Sequence, residues 1–110
     1  MNWINLTTMS ELDKIKQDSF QNFQFIFKHS TRCSISKMVL SRFESTNDSA
    51  SMSVYLLDLL NYRNLSNQIA DDFNVKHESP QLLVIKDGEC CKYSSHTSIH
   101  QLNLLNKPNE

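Results

Sequence analysis

Two rhythms of apolar residues alternate along the chain. Short apolar runs mark strands. Phe23, Phe25, Ile26 and Phe27 crowd residues 23–28, which are rich in aromatics and too few for a helix. Residues 53–60 carry Val54-Tyr55-Leu56-Leu57, nearly all apolar, as expected of a central strand covered on both faces. Residues 82–85 and 90–93 supply two more strands. Asp87-Gly88 between them is a hairpin signal that uses the only glycine of the chain where a positive φ is needed. Four-residue spacings mark helices. Leu12 and Ile15, with Phe20 behind them, lie in residues 8–20, where Thr8-Met9-Ser10-Glu11 reads as a capping box. Ile35, Val39 and Phe43, with Met38 and Leu40 beside them, follow Ser30 or Thr31 as N-cap. Leu65, Ile69 and Phe73 follow Asn64 as cap, and Ile99, Leu102 and Leu105 mark a last helix before a polar tail.

The order is therefore α-β-α-β-α-β-β-α. Its β-α-β start predicts a parallel pair with a right-handed crossover, and its closing hairpin adds antiparallel strands. The expected fold is α/β, a four-stranded mixed sheet with helices on both faces, in one domain over residues 1–110. No repeat, low-complexity tract or linker divides the chain.

Composition narrows the function. A hydrophobic fraction of 39% suits a small core, and no apolar run approaches the roughly 18–20 residues of a membrane span. A net charge of −1 with scattered basic residues argues against a nucleic-acid binder. The first residues lack a basic stretch followed by an apolar one, so the cytosol is the expected compartment. Three cysteines, Cys33, Cys90 and Cys91, do not make a disulfide framework.

Cys33 carries the candidate chemistry. It sits where the first strand gives way to a helix, so unpaired N–H groups and the positive end of the helix dipole favour a thiolate over a thiol. Arg32 and Lys37 add positive potential, and the hydroxyls of Thr31 and Ser36 are candidates to donate hydrogen bonds to the sulfur. The thiolate is the attacking form in thiol–disulfide exchange. Against this stands the ordinary role of a lone cysteine as a small buried hydrophobe. Three residues on, where a dithiol protein has its second cysteine, is Ser36. Pro80 opens the third strand. About 5% of X–Pro bonds in folded proteins are cis, and a cis bond here would turn the Ser79 backbone toward the thiol.

These features together resemble the thioredoxin fold. The blocks FKHSTRCSIS, YRNLSNQIADDFNVKHESPQLLVIKDGE and SSHTSI resemble, more narrowly, the monothiol bacilliredoxins, over most of the chain. Members of that group typically carry proline directly after the cysteine, where this chain has Ser34. The resemblance implies an enzyme that removes bacillithiol from proteins holding it as a mixed disulfide. Cys33 would be the nucleophile, Ser36 would bar an intramolecular disulfide, and a second bacillithiol would resolve the adduct. Thr31, Arg32, Ser34, Ser36, Ser79 and Pro80 would line the site. Bacillithiol would be a co-substrate, with no tightly bound cofactor or metal, and the partners would be bacillithiolated client proteins met by a monomer.

Rival features are weaker. Cys90 and Cys91 are strand neighbours that should point to opposite faces, one in the core and the other exposed or under the final helix, with resolution of Cys33 by either as the rival role. His96 and His100 have the spacing of two metal ligands on a helix, without the companion motifs. His29 and His77 flank the two motif blocks, either tuning the thiol or serving as hydrogen-bonded structural histidines. Asp71-Asp72 reads as solvated surface. The alternative function is a redox sensor or interaction protein whose Cys33 is modified without turnover. A glutathione-using glutaredoxin is disfavoured, since the chain lacks a T-V-P-like motif and a Gly-Gly pair.

Overall fold

A computed structural model of the chain describes residues 1–47 and 51–101, with backbone only for the last two. The elements are β1 (Asn2–Asn5), α1 (Met9–Asp18), β2 (Gln24–His29), α2 (Ser34–Thr46), β3 (Ser53–Asp58), α3 (Arg63–Phe73), β4 (Gln81–Lys86), β5 (Glu89–Ser95) and a 3₁₀ segment, His96–Gln101. The sheet order is β1-β3-β2-β4-β5. β1, β3 and β2 are parallel, while β4 runs antiparallel to β2 and β5 antiparallel to β4.

The thioredoxin-like α/β architecture stands, but the sheet has five strands, not four. The added strand is β1, paired only with β3 from Asn2↔Ser53 to Asn5↔Leu56. Two asparagines in four residues hide it from a hydrophobic pattern, and its pairing comes from tertiary contact. The expected fourth helix is a 3₁₀ segment; Leu102 and Leu105 lie outside the described residues.

Helix starts show which local signals win. At α1 the capping box forms: Thr8 Oγ1 accepts the Glu11 N–H at 3.1 Å, and Glu11 Oε1 accepts the Thr8 N–H at 3.1 Å. α2 starts later than its expected cap. The Ser30 carbonyl accepts the Cys33 N–H at 3.2 Å, a turn that places Cys33, not Ser30 or Thr31, at the N-cap. α3 starts earlier, with Tyr62 rather than Asn64 at the N-cap. Asp58 organises that turn. Its carboxylate accepts the Leu60 N–H at 3.2 Å and Asn61 Nδ2 at 2.8 Å, and its carbonyl accepts the Tyr62 N–H at 3.0 Å. The hairpin forms as expected, with φ 54° at Asp87 and 77° at Gly88.

Alternation along the strands builds two cores. Ile26, Leu57, Leu83 and Ile85 face α1 and α3, packing with Leu12, Ile15, Leu65, Ile69 and Phe73. Phe27, Val54, Leu82 and Val84 face the other way, packing with Val39, Phe43 and Ile99. Phe27 anchors this second side: its ring lies 5.4 Å from Phe43 and 5.8 Å from Trp3, the latter edge-on. The buried line of α2 is Ser36, Val39 and Phe43, not one that begins at Ile35, which is 55% exposed.

Candidate active site

The site grows from the end of β2, where Lys28 and His29 follow the aromatic run. Neighbours on a strand project to opposite faces, so His29 points toward α2 and Lys28 toward α3. The His29 carbonyl accepts the Leu59 N–H at 3.1 Å, joining the loops that follow β2 and β3. The chain then turns through Ser30, Thr31 and Arg32 to Cys33.

Cys33 is half-buried at the N-cap of α2, in extended backbone (φ −104°, ψ 119°). Its carbonyl accepts the Lys37 N–H at 3.1 Å, the first bond of the helix. Its side chain makes no capping hydrogen bond. Its sulfur stands where a capping oxygen would otherwise meet the first-turn amides, an address suited to a nucleophilic sulfur.

The two nearby serines diverge. Ser34 is exposed at the first helical position. Ser36 is fully buried; its Oγ lies 2.7 Å from His29 Nδ1 and accepts the Ser30 N–H at 3.2 Å. The expectation that Ser36 would donate to the Cys33 sulfur is corrected. Its hydroxyl is engaged by the histidine and the loop backbone, because the third position of α2 faces the core. Thr31 and Arg32 are exposed and, with Leu60 and Asn61, line a cavity of about 350 Å³ beside the Cys33 loop. A second cavity, about 370 Å³, lies across Leu60 and Asn61 and runs to Thr7 and Arg63.

The Ser79–Pro80 bond is cis. The register Lys28↔Gln81 sets Pro80 one step further, level with His29 and so beside the loop that leads to Cys33. Pro80 is buried and its carbonyl accepts the His96 N–H at 2.8 Å; Ser79 is half-buried. Register thus sets Ser79 and Pro80 at the same end of the sheet as the loop that carries Thr31, Arg32 and Cys33.

Both histidines of the motif blocks are held below their ordinary pKa. For His29 the cause is burial, aided by Lys37 and opposed by Asp58. For His77 it is burial, then Lys28 and Arg63, opposed by Glu78. Lys28 itself was not singled out by the sequence pattern, yet it is fully buried and its ammonium is pushed down by burial to about 8.

The other thiols are remote. Cys90 pairs with Ile85, at the far end of β4 from Gln81, a separation of about 13 Å along the strand. A disulfide needs Cα atoms within about 7 Å, so neither Cys90 nor Cys91 reaches Cys33 in this fold. Cys90 is half-buried against the α1–α3 core and Cys91 is exposed, as expected of strand neighbours. His96 has a positive φ and spends its backbone N–H on Pro80; the His100 side chain lies outside the described residues. Asp72 is tied to Lys16 and Gln68, a surface role. Among the described residues no helix is long and apolar enough to cross a membrane.

Solved structures share this fold. The chain superposes with a TM-score of 0.83 on a protein described as having a thioredoxin fold, at 30% identity, covering 94% of this chain and 91% of that one. It matches a Schistosoma mansoni thioredoxin at a TM-score of 0.76 and 15% identity, covering 99% and 96% of the two chains. A Malassezia sympodialis thioredoxin matches at 0.73 and 13%, covering 96% and 87%. The last two likenesses speak for the fold alone. Fold and site together define a thioredoxin-like protein of the thiol–disulfide oxidoreductase class. More narrowly, residues 4–104 match the family model of the monothiol bacilliredoxin BrxC, and the chain belongs to that family.

Proposed function

We propose that this protein removes bacillithiol from S-bacillithiolated proteins through a mixed disulfide on Cys33. The observation that carries the reading is the pair Cys33 and Ser36. One thiol stands at a helix N-cap, and the position three residues on holds a buried serine committed to His29, with no other thiol in reach. Such a site attacks a disulfide and needs an external thiol to finish.

The cycle balances without net oxidation. The Cys33 thiolate attacks the bacillithiol sulfur of the client mixed disulfide; that S–S bond breaks, and the client leaves as a thiolate that takes up a proton. A second bacillithiol thiolate attacks the Cys33 adduct, forming bacillithiol disulfide and regenerating Cys33. Thr31, Arg32, Ser34, Ser79 and Pro80 are the residues proposed to hold the adduct, and Ser36 supports the loop from below. The same reading takes the chain as a single-domain cytoplasmic monomer.

The test is to mix the protein with a bacillithiolated client and free bacillithiol and follow client mass. Wild type should remove the adduct and Cys33→Ala should not. An intact client adduct beside a persistently modified Cys33 would instead mark a sensor without turnover, and equal removal by Cys33→Ala would sink the enzyme reading.

A further inference from the structure

Lys28 occupies a position that the strand alternation assigns to the apolar face. Ile26 precedes it on β2, and Leu83 and Ile85 share that face on β4. A buried ammonium persists only when it is hydrogen-bonded. Lys28 Nζ donates to the Ser66 carbonyl of α3 at 3.1 Å and to His77 Nδ1 at 3.2 Å. Ser66 Oγ also lies 3.2 Å from His77 Nδ1. An ammonium can only donate, so Nδ1 of His77 accepts and the neutral ring keeps its proton on Nε2. Across the β2–β4 pair, Gln81 faces Lys28. Gln81 Nε2 donates to the Lys76 carbonyl at 3.0 Å and to Ser95 Oγ at 3.3 Å, and its buried Oε1 has no partner among the described residues. Two polar groups, level with each other in the β2–β4 register, therefore tie β2 and α3 to His77 and β4 to Lys76, residues that lead through Glu78 into Ser79–Pro80.

Stability alone is a poor reason for this lysine, since a hydrophobic residue of similar volume commonly serves as well or better. What such a residue cannot do is hold His77. We propose that Lys28 is a positioning residue: its ammonium fixes His77 and thereby sets the Ser79–Pro80 segment as the wall facing the Cys33 loop, against which a thiol adduct binds. This rests on the reading of Cys33 as the nucleophile.

The electrostatics agree with the geometry. His77 is faced by Lys28 from β2, by Arg63 from α3 and by Glu78 from its own segment, and it is held below its ordinary pKa. Lys28 titrates at about 8. Between the two titrations the pair carries one positive charge, on Lys28. At lower pH a protonated His77 turns Nδ1 into a donor facing the ammonium and the bond is lost; at higher pH the charge disappears.

Lys28→Met, close in shape, is the test. Its unfolding midpoint should equal or exceed that of wild type, and alkylation of Cys33 by iodoacetamide should stay within twofold. KM for a bacillithiolated client should rise at least fivefold with kcat within twofold. Amide exchange at residues 77–79 should quicken at least tenfold, and the His77 ring should titrate at higher pH by NMR. Unchanged KM and unchanged exchange overturn the proposal, and so does a general loss of stability that speeds exchange throughout the chain. His77→Ala, at a half-exposed position, is the second variant: it should raise KM likewise with Lys28 in place, and an unchanged KM counts against the clamp. If wild type fails to remove bacillithiol, the functional reading falls, while exchange at 77–79 and the His77 titration still decide whether Lys28 holds the loop.

Discussion

Ser36→Ala isolates the polar support beneath the candidate nucleophile. The substitution deletes a hydroxyl that is fully buried and bonded twice, 2.7 Å from His29 Nδ1 and 3.2 Å from the Ser30 N–H. His29 is itself buried, so its Nδ1 loses a partner that water does not replace, a loss of about 1–3 kcal/mol. Ser30 is half-buried, so its N–H is partly rescued by solvent and adds a smaller amount. Alanine returns at most about 0.5 kcal/mol of helix propensity. The net expectation is a destabilisation of about 1–2.5 kcal/mol, or a melting temperature lower by roughly 5–15 °C for a domain of this size. Urea unfolding followed by Trp3 fluorescence and far-UV circular dichroism measures it, with a shifted midpoint at unchanged slope. Ser34→Ala, two positions away but exposed, is the control and should stay within about 0.5 kcal/mol. Equal, near-zero effects from both would refute the claim that Ser36 fastens the Cys33 loop.

Three further expectations follow from the same geometry. Ser34→Pro should be accepted and stabilise by about 0.4–1 kcal/mol, because Ser34 opens α2 and Cys33 already has the extended backbone that a residue before proline requires; a lower melting temperature would contradict this. Ser36→Cys places a thiol three residues from Cys33, where helix neighbours stand about 5–6 Å apart; mild oxidation should give an intramolecular disulfide, seen as loss of two titratable thiols, and retention of both would count against the assigned helix start. Stability should fall as pH drops below 6.5, the ordinary histidine value, because His29 and His77 titrate lower in the folded state and the unfolded chain therefore binds more protons there. By the same sign, Lys28 is lowered from 10.5 to about 8, so stability should rise from pH 8 toward 10.5, by up to about 3 kcal/mol, and this limb should vanish in Lys28→Met. A flat urea midpoint across both windows would refute the burial of these groups.

Much of the fold was legible because its signals are local. The capping box at Thr8 and the Asp87-Gly88 turn are each satisfied within four residues and form as expected. The aromatic run of β2 and the apolar run of β3 are long enough to identify themselves. Signals that compete with a neighbour were misplaced. Asn64 is a good cap by composition, but the Asp58 turn starts α3 at Arg63. Ile35 fits the four-residue spacing, but the late start of α2 at Ser34 turns Ser36 inward and leaves Ile35 exposed. β1 could not be seen, since its four residues acquire a partner only when β3 lies alongside.

The candidate site divides in the same way. Sequence by itself determined that one cysteine opens a helix, that a serine stands where a second thiol would be, and that a proline begins the strand that returns beside it. These are statements about neighbours along the chain, and the chemistry of a helix start or an X–Pro bond depends on little else. Only the tertiary structure decided which side chains share that end of the sheet. Alternation sends Lys28 and His29 from adjacent residues to opposite faces, and register brings Gln81 across from one while helix phase brings Ser36 against the other. His77 meets Lys28 from 49 residues away, a contact fixed by the packing of α3 on the sheet. The same register puts Cys90 and Cys91 at the wrong end of β4 to serve Cys33. The address of Cys33 at a helix start is a local fact; its surroundings exist because strands set far-apart residues side by side.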